Sequence, residues 1–172
     1  MTLAVLDTET TGLDPLLDEI LEIAIVDENG DVLLNSLVRP TRNTSWPEAQ
    51  RIHGISPADV ANAPTLEELA QQIHDSVEKR KVVIYNAEFD AEFLKGYLDA
   101  ASVIRCCMNA YSHHQEAISG ESWRQHKHKL VHAAYDADHD WGQDAAHRTI
   151  QKAGATLSVW QWLKRQSKMR VE

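Results

Sequence analysis

The sequence predicts an α/β fold in which a mixed five-stranded sheet is flanked by helices. Three observations lead there. Short apolar, β-compatible segments come first in a hairpin arrangement, and later ones alternate with helical patterns. No repeat of ~20–50 residues and no low-complexity tract interrupts the chain. Its 172 residues, 43% hydrophobic and 25% charged, are enough to bury ~70% of the unfolded surface around one core without staples.

Thr2 to Leu6 is short and apolar and reads as a buried strand that runs into a turn at Thr10-Thr11-Gly12. Ile20 to Val26 and Val32 to Val38 flank Glu28-Asn29-Gly30-Asp31, where Asn-Gly signals a hairpin. Three antiparallel strands follow from this pattern. Pro47 to His53 and Pro57 to Ala61 read as short helical pieces. Thr65 to Val77 opens with the capping box Thr-x-x-Glu and spaces Leu66, Leu69, Ile73 and Val77 as a helix does. Lys81 to Tyr85 is a fourth strand, and Ala87 to Ala101 a helix with Phe89, Phe93, Leu94, Tyr97 and Leu98 on its buried face. Val103 to Cys106 completes the sheet. Beyond it the pattern is helical, with a polar loop near Asp138 to Asp144 and a last helix through Ala155, Val159, Trp160 and Leu163.

Composition narrows the function. Cys106 and Cys107 are the only cysteines and are adjacent, which suits a reduced compartment and predicts a cytoplasmic protein. No basic leader precedes Asp7, and no apolar run approaches the ~18 residues of a membrane span, so no membrane partner is expected. A formal net charge of −9 argues against a broad basic surface for coating nucleic acid.

The most informative string is Asp7-Thr8-Glu9-Thr10-Thr11-Gly12. Side chains two apart on a strand share a face, so Asp7 and Glu9 project together, ~7 Å apart along the backbone. Paired carboxylates repel unless a cation sits between them, and oxygen-only ligands favour Mg²⁺ or Mn²⁺. Two such ions can clamp the attacking and leaving oxygens of a phosphodiester hydrolysis. By itself Asp-x-Glu also fits a solvated strand end. Asn86-Ala87-Glu88-Phe89-Asp90 is a second strand end passing into a helix, where Asp90 taken singly would complement the helix dipole.

Together these strings resemble the DnaQ-like (DEDDh) 3′–5′ exonuclease family, over nearly the whole chain. Asp7-Thr-Glu9-Thr-Thr-Gly is similar to its first motif, Asn86-x-x-Phe-Asp90 to its second, and Ile52-His53-Gly54-Ile55 to the intervening helix and turn. The resemblance implies a ribonuclease-H-like sheet, a single exonuclease domain over 1–172, single-stranded 3′ ends as substrate and a possible separate polymerase or repair partner. It also implies that Asp7, Glu9 and Asp90 bind two divalent ions, and that Thr10, Thr11, Gly12, His53 and Asn86 hold the terminal nucleotide.

The family's third motif is a general-base histidine, four residues, then a metal-binding aspartate opening the last helix. Two registers compete. His139 to Asp144 has the spacing, but Ala-Ala-His-Arg after it does not resemble the family's helix. His147 to Lys152, followed by Ala-Gly-Ala-Thr, resembles that helix over more residues and keeps its buried stripe in phase; this register is preferred. It makes His147 the base, whose ordinary pKa lies near operating pH. It also places Lys152 where the last aspartate belongs, which would leave one ion and reduced activity. An alternative is thus a catalytically impaired protein that binds nucleic-acid ends or a partner without cleavage.

Remaining features have plainer readings. His126, His128 and His132 among Arg124, Lys127 and Lys129 form a solvated basic helix face, and Lys164, Arg165, Lys168 and Arg170 a cationic helix end. Trp160 and Trp162 suit packing, and Cys107 a small packed residue.

Overall fold

The computed structural model describes residues 2–120, 128–142 and 148–169. Strands β1 (Leu3–Thr10), β2 (Ile20–Asp27), β3 (Val32–Leu37), β4 (Lys81–Ile84) and β5 (Val103–Cys106) form a five-stranded sheet in the order β3-β2-β1-β4-β5. β1, β2 and β3 pair antiparallel, whereas β4 and β5 extend the sheet in parallel. This is the mixed sheet expected from the sequence. Helices α1 (Pro47–His53), α2 (Pro57–Val60), α3 (Ala70–Val77), α4 (Ala87–Phe93), α5 (Cys107–Ser119), α6 (Leu130–Asp136) and α7 (Thr149–Met169) complete it.

The strand period divides the core in two. Leu3 and Val5 of β1 face one side with Ala24 and Val26 of β2, covered by α5, α6 and α7. Ala4 and Leu6 face the other with Ile23 and Ile25, covered by α3 and α4. Fully buried chains such as Leu6, Ile23, Ile25 and Ile84 contribute about 1.5–3 kcal/mol each on transfer from water. A smaller cluster of Leu21, Trp46, Ile55 and Val60 seats α1 and α2, with the Trp46 indole N–H donating to the Ile55 carbonyl at 2.8 Å.

Two helices are shorter than their patterns. The capping box at Thr65 forms, with Thr65 N–H donating to Glu68 Oε2 at 2.7 Å, but the first turn is irregular and regular helix begins at Ala70. The helix expected over 87–101 stops at Phe93, because Gly96 adopts φ +87° and the chain proceeds by turns. Leu94 and Leu98 stay buried, so the apolar spacing reported packing correctly after the helix had ended. In the other direction, β1 runs on to Thr10 and carries Asp7 and Glu9 within the sheet. Cys106 and Cys107 are free thiols, and Cys107 is buried, which pushes its thiol pKa up. Trp160 and Trp162 pack, partly buried, against the α5–α7 core.

Candidate active site

Asp7 and Glu9 continue the Leu3–Val5 row of β1 beyond its apolar part and so face α7. Their neighbour Thr8 points to the opposite face, where its hydroxyl donates to Asp90 Oδ1 at 2.7 Å. Asp90 lies in the first turn of α4, one strand over from β1, because parallel β4 delivers the chain to that end of the sheet. The site therefore forms at the carboxyl end of β1 and β4, where the parallel pairing brings two strand ends side by side.

Asp7, Glu9, Asp90 and Lys152 line a single cleft of about 410 Å³, within the usual size of a small-ligand pocket, about 300–1,000 Å³. Thr10, Thr11, Gly12 and His53 line it too, and Leu13, Ile52 and Phe89 supply its apolar wall. Asn86 is not among the lining residues. It sits beneath, at the start of α4, its carbonyl accepting from Phe89 N–H at 3.0 Å, while its side-chain oxygen is buried with no hydrogen-bond partner among the described residues.

The turn after β1 is held internally. Thr10 donates its hydroxyl to the Gly12 carbonyl at 2.6 Å, and Thr11 donates to Asp18 at 2.9 Å. Asp18 packs so closely over Gly12 that a Cβ there would lie 2.3 Å from its carboxylate oxygen. His53 accepts from Ile55 N–H at 3.1 Å through Nδ1, which leaves Nε2–H to donate to the Thr10 carbonyl at 3.2 Å. Both ring nitrogens are thus engaged by backbone, and the ring clips the end of α1 to the end of β1.

Electrostatically the carboxylates differ. Burial, and after it the Asp90 charge, holds the Asp7 carboxyl well above the usual range, an effect Lys152 only partly offsets. Asp7 Oδ2 is buried with no hydrogen-bond partner among the described residues. Burial likewise raises Asp90 to about 6, against hydrogen bonds from Thr8 that favour its ionised form. Glu9 instead has a partner, since the Lys152 ammonium donates to its Oε1. Burial of Lys152 opposes its charge, but Asp7, Glu9 and Asp90 outweigh this and raise its pKa.

The position of Lys152 follows from a network that sequence reading missed. Glu22 of β2 lies directly across from Glu9 in the antiparallel register, and facing like charges are unfavourable unless each is answered. Arg148 donates to Glu22 Oε1 at 2.6 and 3.0 Å, and Thr149 donates to Oε2 through its N–H and its hydroxyl. Glu22 thereby anchors the first turn of α7, and Lys152, one turn on, meets Glu9. A lone glutamate inside the otherwise apolar Ile20–Val26 run was the signal available. His139 lies elsewhere: its Nδ1 pairs with Ser158 at 2.9 Å and its ring stands edge-on to Trp141. Ser158 is about 9 Å farther along α7 than Lys152. His147 and Asp144 lie outside the described residues, as do Arg124, His126 and Lys127.

Among the described residues, no three His, Cys, Asp or Glu side chains form a ready metal cage. Asp7 and Asp90 nevertheless offer hard oxygen donors, one of them orphaned, and that donor chemistry fits a divalent ion of the Mg²⁺ or Mn²⁺ kind. Glu9 is engaged by Lys152.

Comparison with known proteins places this geometry. The exonuclease family model of the RNase T type matches residues 4–157. An uncharacterized exonuclease, CP81, of Escherichia phage 186 is 31% identical over 171 residues, covering 90% of this chain and 84% of that protein. DNA polymerase III subunit epsilon of Rickettsia conorii is 37% identical over 95 residues, a match that spans 52% of this chain and 41% of the subunit. Among solved structures, exonuclease X in complex with 5′ overhanging duplex DNA superposes with a TM-score of 0.71 and 26% identity, covering 96% of this chain and 93% of that one. E. coli exonuclease I bound to a dA16 oligonucleotide shares the fold, with a TM-score of 0.78 at 18% identity over 98% of this chain and 42% of its own. With the family model spanning most of its length, and the strand order and carboxylate cleft described above, the chain belongs to the RNase T-type, DnaQ-like exonuclease family of the ribonuclease-H-like superfamily.

Proposed function

We propose that this chain is a metal-dependent 3′–5′ exonuclease that releases nucleotides from single-stranded 3′ ends, as a single domain over 1–172. The observation that supports it most is the convergence of Asp7, Glu9 and Asp90 in one cleft beside the Thr10–Gly12 turn. Mg²⁺ or Mn²⁺ held by Asp7 and Asp90 would supply positive charge to the phosphodiester oxygens. In the reaction a water oxygen bonds to phosphorus and the bond to the 3′ oxygen breaks, leaving a shortened strand with a 3′ hydroxyl and a 5′ mononucleotide. His147 takes the water's proton. Asp7 and Asp90 would place that ion against the phosphate, and the wall of Leu13, Ile52 and Phe89 excludes water and takes the terminal base. Thr10, Thr11, Gly12 and His53 shape the floor on which the nucleotide rests, and Asn86 supports Asp90 from below.

Kinship with polymerase III subunits supports a separate polymerase or repair partner. Among the described residues no helix is long and apolar enough to cross a membrane. A second reading is favoured by one observation, the Lys152–Glu9 ion pair inside the cleft: an impaired enzyme that grips 3′ ends without cutting. The test is incubation with 5′-labelled single-stranded DNA and RNA in Mg²⁺ or Mn²⁺. Stepwise loss from the 3′ end that vanishes in Asp7→Ala supports the enzyme. Binding without shortening would establish the impaired reading instead.

A further inference from the structure

We propose that Lys152 is the resident second cation of the cleft: its ammonium neutralises Glu9, leaving Asp7 and Asp90 to hold a single divalent ion. This rests on the metal-dependent reading above and deepens it by fixing the stoichiometry and the cation that each carboxylate receives.

The carboxylates fall into two classes. Asp7 has a buried Oδ2 with no hydrogen-bond partner among the described residues and an acidic neighbour in Asp90, and Lys152 acts on that pair through its charge alone, with no ion pair to either acid among the described residues. Glu9 has a direct one, because Lys152 donates to its Oε1 with the lysine side chain 27% and the glutamate side chain 9% exposed. An ion placed at Glu9 would lie ~4 Å from the ammonium, where repulsion at an effective dielectric of ~20 amounts to several kcal/mol. The lysine is not there by the accident of a long side chain. Glu22, across from Glu9, hooks Arg148 and Thr149, and so fixes the turn of α7 from which Lys152 projects. The same side chain lines the cleft, so the pair it makes with Glu9 lies within the site.

The test is titration of the full-length chain with Mn²⁺ alone, followed by electron paramagnetic resonance and calorimetry, for wild type, Lys152→Asp and Lys152→Met. One ion per wild-type chain, two per Lys152→Asp chain, and a first ion held about tenfold tighter or more in Lys152→Met are expected. Two ions or none on the wild type would overturn the inference, as would Lys152→Asp remaining at one. Should Lys152→Asp fail to fold, unchanged affinity in Lys152→Met is the overturning result. The outcomes separate from those of the exonuclease reading. A chain that binds one ion but never shortens a strand keeps this inference and loses that one, whereas two ions with shortening does the reverse.

Discussion

Asp7 concentrates the conflict between stability and chemistry. Its carboxylate is buried, one oxygen has no partner among the described residues, and Asp90 repels it. An unsatisfied buried polar group costs about 1–3 kcal/mol, and more when charged. Asp7→Asn is therefore expected to raise the melting temperature in metal-free buffer at neutral pH by the equivalent of about 1–2 kcal/mol, while abolishing 3′ shortening. Calorimetry beside the end-labelled assay checks both. A lower melting temperature would show that Lys152 already compensates Asp7. Glu9 has a counter-charge and lacks the orphaned oxygen, so Glu9→Gln is not expected to stabilise; it frees Lys152 instead. The same motif thus holds two acids in opposite circumstances, although sequence spacing presents them as equals.

At the scale of elements, two acidic side chains fasten the pieces that carry the site. Glu22 binds the first turn of α7 through Arg148 and Thr149. Removing one partner of a buried, hydrogen-bonded ion pair typically costs about 3–5 kcal/mol; with the Arg148 side chain 54% exposed, Glu22→Ala is expected to cost less, about 2–3 kcal/mol. Denaturant unfolding measures the loss, and faster hydrogen exchange at the Thr149 amide would place it at α7. Glu19 ties the β1–β2 connection to the segment after β3, accepting from Thr41, Arg42 and Asn43 N–H at 2.7–2.8 Å. Burial alone would raise its pKa, but these backbone donors and the Thr41 hydroxyl outweigh it and lower it. A depressed folded value means the stabilisation is complete above the unfolded carboxyl pKa of about 4.3 and disappears as pH falls through the folded value. The stability gap between wild type and Glu19→Gln should accordingly be full at pH 7 and close as pH drops below about 4. A gap that persists unchanged at pH 3 would contradict this.

For the molecule as a whole, metal and fold are linked. A divalent ion that binds only the folded chain adds RT ln(1 + [L]/Kd), about 2.7 kcal/mol at a hundredfold excess over Kd. Mn²⁺ should raise the melting temperature, excess chelator should reverse it, and Asp90→Asn should abolish the shift without unfolding the chain. Period and local chemistry made the sheet legible in the sequence. The apolar runs Thr2 to Leu6 and Ile20 to Val26, the Asn29-Gly30 hairpin and the order of the later strands specify the mixed sheet, since apolar runs and turn residues act over a few neighbours. The carboxylate strings lay at strand ends, where family resemblance also placed them. The helix over 87–101 was overextended because Leu94 and Leu98 are buried whether the chain reaches them by helix or by turns, and Gly96 ends the helix at a position where the apolar pattern does not change. It takes the packed chain to set Glu22 opposite Glu9, to hook α7 over both, and to bring Lys152 to Glu9 while one Asp7 oxygen has no partner among the described residues. The links from these acids to α7 join residues more than a hundred positions apart, and the charge each acid experiences depends on what packing sets beside it and how much water it removes.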